Sequence, residues 1–198
     1  MIDLNGVNCL LMTPFDKEGK VDFNSLAAVA DDVIKGGVNS VVGNGKIGEF
    51  EVLTQAERRE IIDMLVSYVG GKVPVGFGII NATYQEGISL SKHAASAGAD
   101  FVMSRPPVDG DINRYFTEIA DEIALMPYDQ GTRGELSIKE DILPLCEKSE
   151  NIVGLKISGN PDKIIEAKEL LDVPVLCGWD LMSLLAYEMG SDGVISGS

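Results

Sequence analysis

Short apolar runs alternate with longer amphipathic ones along the whole chain, and this rhythm constrains the fold more than any other feature. Strands are expected over residues 7–12, 40–42, 73–80, 100–103, 125–128, 152–157, 173–177 and 193–195. Helices are expected over 23–35, from Thr54 to 69, and over 84–97, 112–123, 137–148, 161–171 and 181–189. Thr54 and Glu57 have the spacing of a capping box, and Gly36-Gly37, Gly70-Gly71 and Gly98 supply stops. Strand starts fall mostly about 25 to 35 residues apart, the length of a βα unit. Eight parallel strands predict an α/β (β/α)8 TIM barrel, with a doubly wound open sheet as the competing arrangement. A chain of 198 residues is expected to form one such domain over 1–198. It ends just past the eighth strand, so the barrel is expected to be C-terminally incomplete, lacking its last helix and the C-terminal helical segment. Ile123 almost abuts Leu125, which predicts a compressed connection before strand five.

Composition narrows the partners. The formal net charge is −15, from 31 acidic and 16 basic residues, and the basic residues form no stripe. That argues against nucleic acid and anionic membranes. No stretch approaches the roughly 20 apolar residues of a membrane span, and the N-terminus has no leader pattern. Cys9, Cys146 and Cys177 sit in apolar surroundings and read as reduced core cysteines of a cytoplasmic protein. A single histidine, His93, leaves no His-rich metal site, and no metal or organic cofactor motif is present.

One lysine stands out against the apolar strands. In Val153-Gly154-Leu155-Lys156-Ile157-Ser158 the strand period puts Val153, Leu155 and Ile157 on one face and Gly154, Lys156 and Ser158 on the other. An unpaired ammonium there is costly, and a neutral amine is what Schiff-base chemistry needs. Lys156 is therefore the candidate nucleophile. Two other strand ends carry chemistry. After strand five, Tyr128 can pass a proton and Arg133 can hold a carboxylate bidentately. After strand two, Gly43-Asn44-Gly45-Lys46-Ile47-Gly48-Glu49 holds three glycines whose backbone freedom would let successive N–H groups converge on an anion, with Lys46 adding charge. Each segment alone also reads blandly, as a tight turn, a core tyrosine or a snorkelling lysine.

Together these residues resemble the dihydrodipicolinate synthase and N-acetylneuraminate lyase family of class I, pyruvate-type aldolases. The resemblance spans Thr13-Pro14-Phe15, Gly45 to Gly48-Glu49, Leu53-Thr54, Glu57-Arg58, Ala97-Gly98-Ala99-Asp100, Pro106-Pro107 and Gly154-Leu155-Lys156, with Tyr128 at the family's interval before Lys156. It implies a lyase that acts on pyruvate or a related 2-keto acid and makes or breaks a carbon–carbon bond without a cofactor. Lys156 would condense with the keto acid, Tyr128 would shuttle protons, Arg133 would contact the second substrate, and Gly45, Lys46, Ile47 and Gly48 would form the carboxylate site. It also implies a homo-oligomer, dimer or tetramer.

The chain departs from the family at informative places. Lys46 and Ile47 stand where many members carry two hydroxyl residues, and Ile47 cannot relay a proton. Val108-Asp109 follow the paired prolines in place of tyrosines, and Asp129 follows Tyr128 in place of asparagine. These changes favour a paralogue acting on another 2-keto acid. The alternatives are a barrel binding a phosphorylated ligand at the loop Gly190-Ser191-Asp192-Gly193-Val194-Ile195-Ser196-Gly197-Ser198, or a non-catalytic binding paralogue.

Overall fold

A computed structural model describes residues 2–131 and 134–197. Its eight strands are β1 (Gly6–Leu10), β2 (Ser40–Gly43), β3 (Val75–Ile79), β4 (Phe101–Ser104), β5 (Leu125–Asp129), β6 (Leu155–Ile157), β7 (Val175–Cys177) and β8 (Gly193–Ser196). All pair in parallel and in sequence order, and β8 returns to β1 through Gly6↔Gly193 and Val7↔Val194. The open sheet is excluded, because a doubly wound sheet has two free edges and this one has none. Asn8 secures the seam. Fully buried, it donates to Leu4 O (2.8 Å) and Val194 O (3.1 Å) and accepts from Ser40 Oγ (2.7 Å).

Seven α-helices surround the strands among the described residues: α1 (Phe23–Lys35), α2 (Gln55–Val69), α3 (Tyr84–Ala97), α4 (Ile112–Ala120), α5 (Leu143–Lys148), α6 (Asp162–Leu170) and α7 (Ser183–Glu188). The capping chemistry behaves as the sequence predicts at α2: Glu57 N donates to Thr54 Oγ1 (3.2 Å), while Thr54 N donates to Glu57 Oε2 (2.8 Å). Helix α4 stops at Ala120, three residues short of expectation, so residues 121–124 form the connection to β5 and nothing is compressed there.

The expected helix over 137–148 is two pieces. A π-turn, Ile138–Ile142, precedes α5. Pro144 has no N–H to give and its ring crowds the preceding turn, so the backbone widens ahead of it. Ile142 N accordingly reaches Ser137 O (3.2 Å), and Asp141 rather than Glu140 accepts from Ser137 N (2.7 Å).

Two apolar layers result. One lies between strands and helices and includes Leu65, Phe77, Leu90, Phe116, Leu155 and Ile157. The other fills the barrel interior with Leu10, Val42, Phe101, Met103, Met126, Tyr128, Leu176 and Ile195. Each large side chain so buried stabilises by roughly 2–3 kcal/mol. Val153 departs from the predicted alternation. Strand β6 begins at Leu155, and ahead of it Val153 packs in the interior with Leu4 and Met126 while Leu155 and Ile157 face the helices. Lys156 is inward, between Tyr128 of β5 and Leu176 of β7.

Candidate active site

Parallel pairing sets the register of the site. Tyr128 sits directly across from Lys156, at the C-terminal ends of β5 and β6. The lysine is 2% exposed and its Nζ lies over the Tyr128 ring, 4.3 Å from the centroid. Burial drives its pKa down to about 7, against the opposing pull of the Asp180 carboxylate and Cys177. An amine with that pKa is substantially neutral at neutral pH and can attack a carbonyl carbon. Burial pushes the Tyr128 phenol above its ordinary value, while the Ser158 hydroxyl and the Arg105 charge pull it down.

These groups open into a cavity of about 450 Å³ whose wall also carries Lys46, Ile47, Gln130, Trp179, Asp180 and Ser196. A second cavity, of about 560 Å³, adjoins it and shares Lys46, Tyr128 and Gln130; Phe50, Glu51, Ile80, Asn81 and Arg105 complete it. Arg105, at the end of β4, is 7% exposed and donates to the Gln130 side chain.

The loop after β2 works differently from expectation. Its left-handed residues are Asn44 (φ 54°) and Glu49 (φ 52°), and none of its three glycines has positive φ. The glycines are required for space instead. A β-carbon on Gly45 would stand 2.8 Å from Leu10 Cδ2, and one on Gly48 would stand 2.8 Å from Leu11 O. This close packing, sealed by the hydrogen bond from Thr13 Oγ1 to Gly48 O (2.7 Å), turns Lys46 and Ile47 onto the cavity wall. Asn44 is held from below, its amide donating to Arg58 O (3.0 Å).

The structure thus gathers Lys156, Tyr128, Lys46 and Ile47, with Gly45 and Gly48 buried behind them. Arg133 lies outside the described residues. Space beside the β8 end is taken up: a β-carbon on Gly197 would meet Ile47 Cγ1 at 2.6 Å. Sequence reasoning assigned no role to Ser158, Gln130, Arg105, Trp179 or Asp180. Ser158 could have been found, since it shares the inward parity of Lys156. Arg105 had one signal, a cation immediately before paired prolines at a strand end. Among the described residues no three His, Cys, Asp or Glu side chains gather as metal ligands.

A closed parallel barrel with a desolvated amine and a phenol at adjoining strand ends defines a lyase of the class I aldolase type. Comparison with known proteins agrees. The profile of the Dihydrodipicolinate synthetase family matches residues 3–198, and the chain belongs to that family. It is 33% identical to the 4-hydroxy-tetrahydrodipicolinate synthase of Methanococcus vannielii, over 98% of this chain and 70% of that protein. It is 35% identical to the enzyme of the same name from Methanosarcina mazei, over 94% of this chain and 67% of the relative. Among solved structures, dihydrodipicolinate synthase DapA-2 of Bacillus anthracis superposes with a TM-score of 0.91 at 30% identity, covering 100% of this chain and 71% of the other. YagE, an E. coli K12 prophage protein of the same family solved in complex with pyruvate, gives a TM-score of 0.90 at 29% identity, covering 97% and 69%.

Proposed function

We propose that this chain is a Schiff-base aldolase or lyase in which Lys156 condenses with pyruvate or a related 2-keto acid and Tyr128 moves protons. The observation that carries this reading is the buried Lys156 amine, held near neutrality and stacked over the Tyr128 ring inside the barrel. The neutral nitrogen attacks the keto carbon to give a carbinolamine. Protonated by way of the tyrosine hydroxyl, the carbinol oxygen leaves as water and an iminium remains. The iminium accepts the electron pair released when the neighbouring carbon loses a proton or a carbon–carbon bond breaks.

The keto-acid carboxylate is assigned to the loop of Gly45, Lys46, Ile47 and Gly48, where Lys46 supplies positive charge. The second reactant is assigned to the adjoining cavity, which holds Arg105 and Gln130; its contact with Arg133 rests on the family resemblance alone. Ile47 and Val108 in place of the family's polar residues favour a 2-keto acid substrate other than that of the namesake synthases. We further take residues 1–198 as one barrel domain acting in the cytoplasm as a homo-oligomer. The three free cysteines and the acidic charge are in keeping with this, and among the described residues no helix is long and apolar enough to cross a membrane.

Reductive trapping tests the reading. Incubation with pyruvate and borohydride, followed by intact mass measurement, is expected to add one reduced pyruvate unit to the wild-type chain and none to Lys156→Ala. A wild-type chain that gains no mass with any of a panel of 2-keto acids overturns it.

A further inference from the structure

Forming a carbinolamine requires a net proton movement that the two central residues cannot complete by themselves. When the Lys156 nitrogen bonds to the keto carbon it becomes cationic, and the carbonyl oxygen becomes anionic. One proton must leave nitrogen and one must reach oxygen. Yet Nζ lies over the face of the Tyr128 ring, and no hydrogen bond joins the amine to the phenol. A ring face stabilises a cation but accepts no proton in this exchange. A hydroxyl placed beside both groups would complete the exchange once the keto acid is bound.

Ser158 has the required position. It follows Lys156 by two residues, so both side chains point into the barrel. Its backbone N–H donates to Asp129 O (2.8 Å), which ties it to the residue after Tyr128. Its Oγ and the Lys156 Cε converge on one point, where a β-carbon on Gly178 would stand. Ser158, Tyr128 and Lys156 line the same cavity. The Ser158 Oγ is buried and makes no hydrogen bond of good geometry, although it stands close enough to the Tyr128 hydroxyl to lower its pKa. A buried hydroxyl without a partner is an uncompensated cost to folding, and such costs accumulate where a group awaits a reacting molecule.

We propose that Ser158 is a catalytic relay hydroxyl that carries a proton between the Lys156 nitrogen and the Tyr128 oxygen. As the carbinolamine forms, Ser158 Oγ accepts the proton leaving nitrogen and passes its own to the Tyr128 oxygen, and Tyr128 passes its own to the carbinol oxygen. Three protons shift by one place, serine and tyrosine end as they began, and nitrogen and oxygen end neutral. No bond between heavy atoms changes in the relay, and no external acid or base is consumed. The carbinol oxygen then departs as water when one further proton arrives from solvent by the same route. The proximity of Ser158 also lowers the pKa of Tyr128 relative to what burial alone would set, which eases its proton release.

This inference rests on the Schiff-base reading, and its test separates the two. Wild type, Ser158→Ala and Ser158→Thr are compared for the rate of borohydride-trappable pyruvate adduct formation, for exchange of pyruvate methyl protons in D2O, and for melting temperature. In Ser158→Ala both rates are expected to fall about 100-fold, within the range of a lost proton-transfer group. The adduct is still expected to reach full occupancy given time, and the melting temperature is expected to be equal to or higher than wild type. Ser158→Thr is expected to recover most of both rates. Wild-type rates in Ser158→Ala overturn the relay, as does a lowered melting temperature together with no recovery in Ser158→Thr. An absent adduct in wild type overturns the Schiff-base reading instead.

Discussion

Across the β5–β6 pair, the Lys156 amine rests on the face of the Tyr128 ring, 4.3 Å from its centroid. Two effects on the nitrogen compete. A cation over a ring gains roughly 0.5–2 kcal/mol, while removing an ammonium from water costs several kcal/mol even after relaxation. Desolvation wins, and the pKa falls to about 7. The rate of adduct formation with a saturating 2-keto acid is therefore expected to rise through about pH 7 and to level off within one to two units above it. Rapid-quench trapping across pH 5.5–9 checks this. A midpoint above pH 9 would mean that the amine is not desolvated as described.

The same displacement makes Lys156 a burden on stability. Its folded pKa lies below its unfolded value, so between about 7 and 10.5 the unfolded chain binds more protons than the folded one. Stability then rises with pH across that window, and the penalty is fully present below about pH 7. Replacing Lys156 with Met, which fills similar space without charge, is expected to stabilise the protein by a few kcal/mol at pH 6. The gain shrinks as pH approaches 10, while the variant forms no adduct at any pH. Urea unfolding of the two proteins at pH 6 and pH 9 measures both the sign and the trend.

Tyr128→Phe removes the hydroxyl but keeps the ring beneath the amine. The borohydride adduct is still expected to reach full occupancy given time, at a rate lowered at least as far as in Ser158→Ala, and turnover is expected to drop by about 10²–10⁴-fold, the range for a positioned acid–base group. Because burial holds the phenol above its usual pKa, wild-type activity should show no loss from tyrosine ionisation below about pH 10. Single-turnover trapping beside steady-state rates separates the two steps.

Much of this arrangement is legible in the sequence, for physical reasons that differ from residue to residue. Thr54 and Glu57 announce the start of α2 because the capping box is a local bond pattern, independent of tertiary context. The inward parity of Lys156 follows from the strand period. The π-turn at Ile138–Ile142 escapes because one proline can bend, widen or end a helix, and packing decides among these. The roles of the loop glycines escape for a related reason. Glycine supplies either unusual φ or bare space, and only the nearness of Leu10 and Leu11 identifies the second. Arg105 reaches the site through Gln130, 25 residues away, a contact with no sequence period behind it.

Asp129 explains one departure from the family in structural terms. Its carboxylate is fully buried, accepts from Gly131 N (2.7 Å), and pairs with Lys163 Nζ of α6 at 2.8 Å. Lys163 also reaches Glu135 Oε1 (3.0 Å) and Leu136 O (2.9 Å), so a single ammonium joins the end of β5 to these two residues. An asparagine at 129 would leave this lysine only the exposed Glu135 carboxylate as counter-charge, and a lysine lost at 163 strands the Asp129 carboxylate in the interior. Lys163→Met is expected to cost about 3 kcal/mol or more, the scale for an uncompensated buried charge. Lys163→Met combined with Asp129→Asn should recover a large part of that loss, because the double variant buries no charge. Catalysis should recover less than stability does: Glu135 and Leu136 remain unbound, and Gln130 on the cavity wall loses its anchored neighbour. Thermal melts of the four proteins of the cycle, beside their trapping rates with pyruvate, measure both quantities. A double-variant loss equal to the sum of the two single-variant losses would show that the pair contributes nothing as a pair.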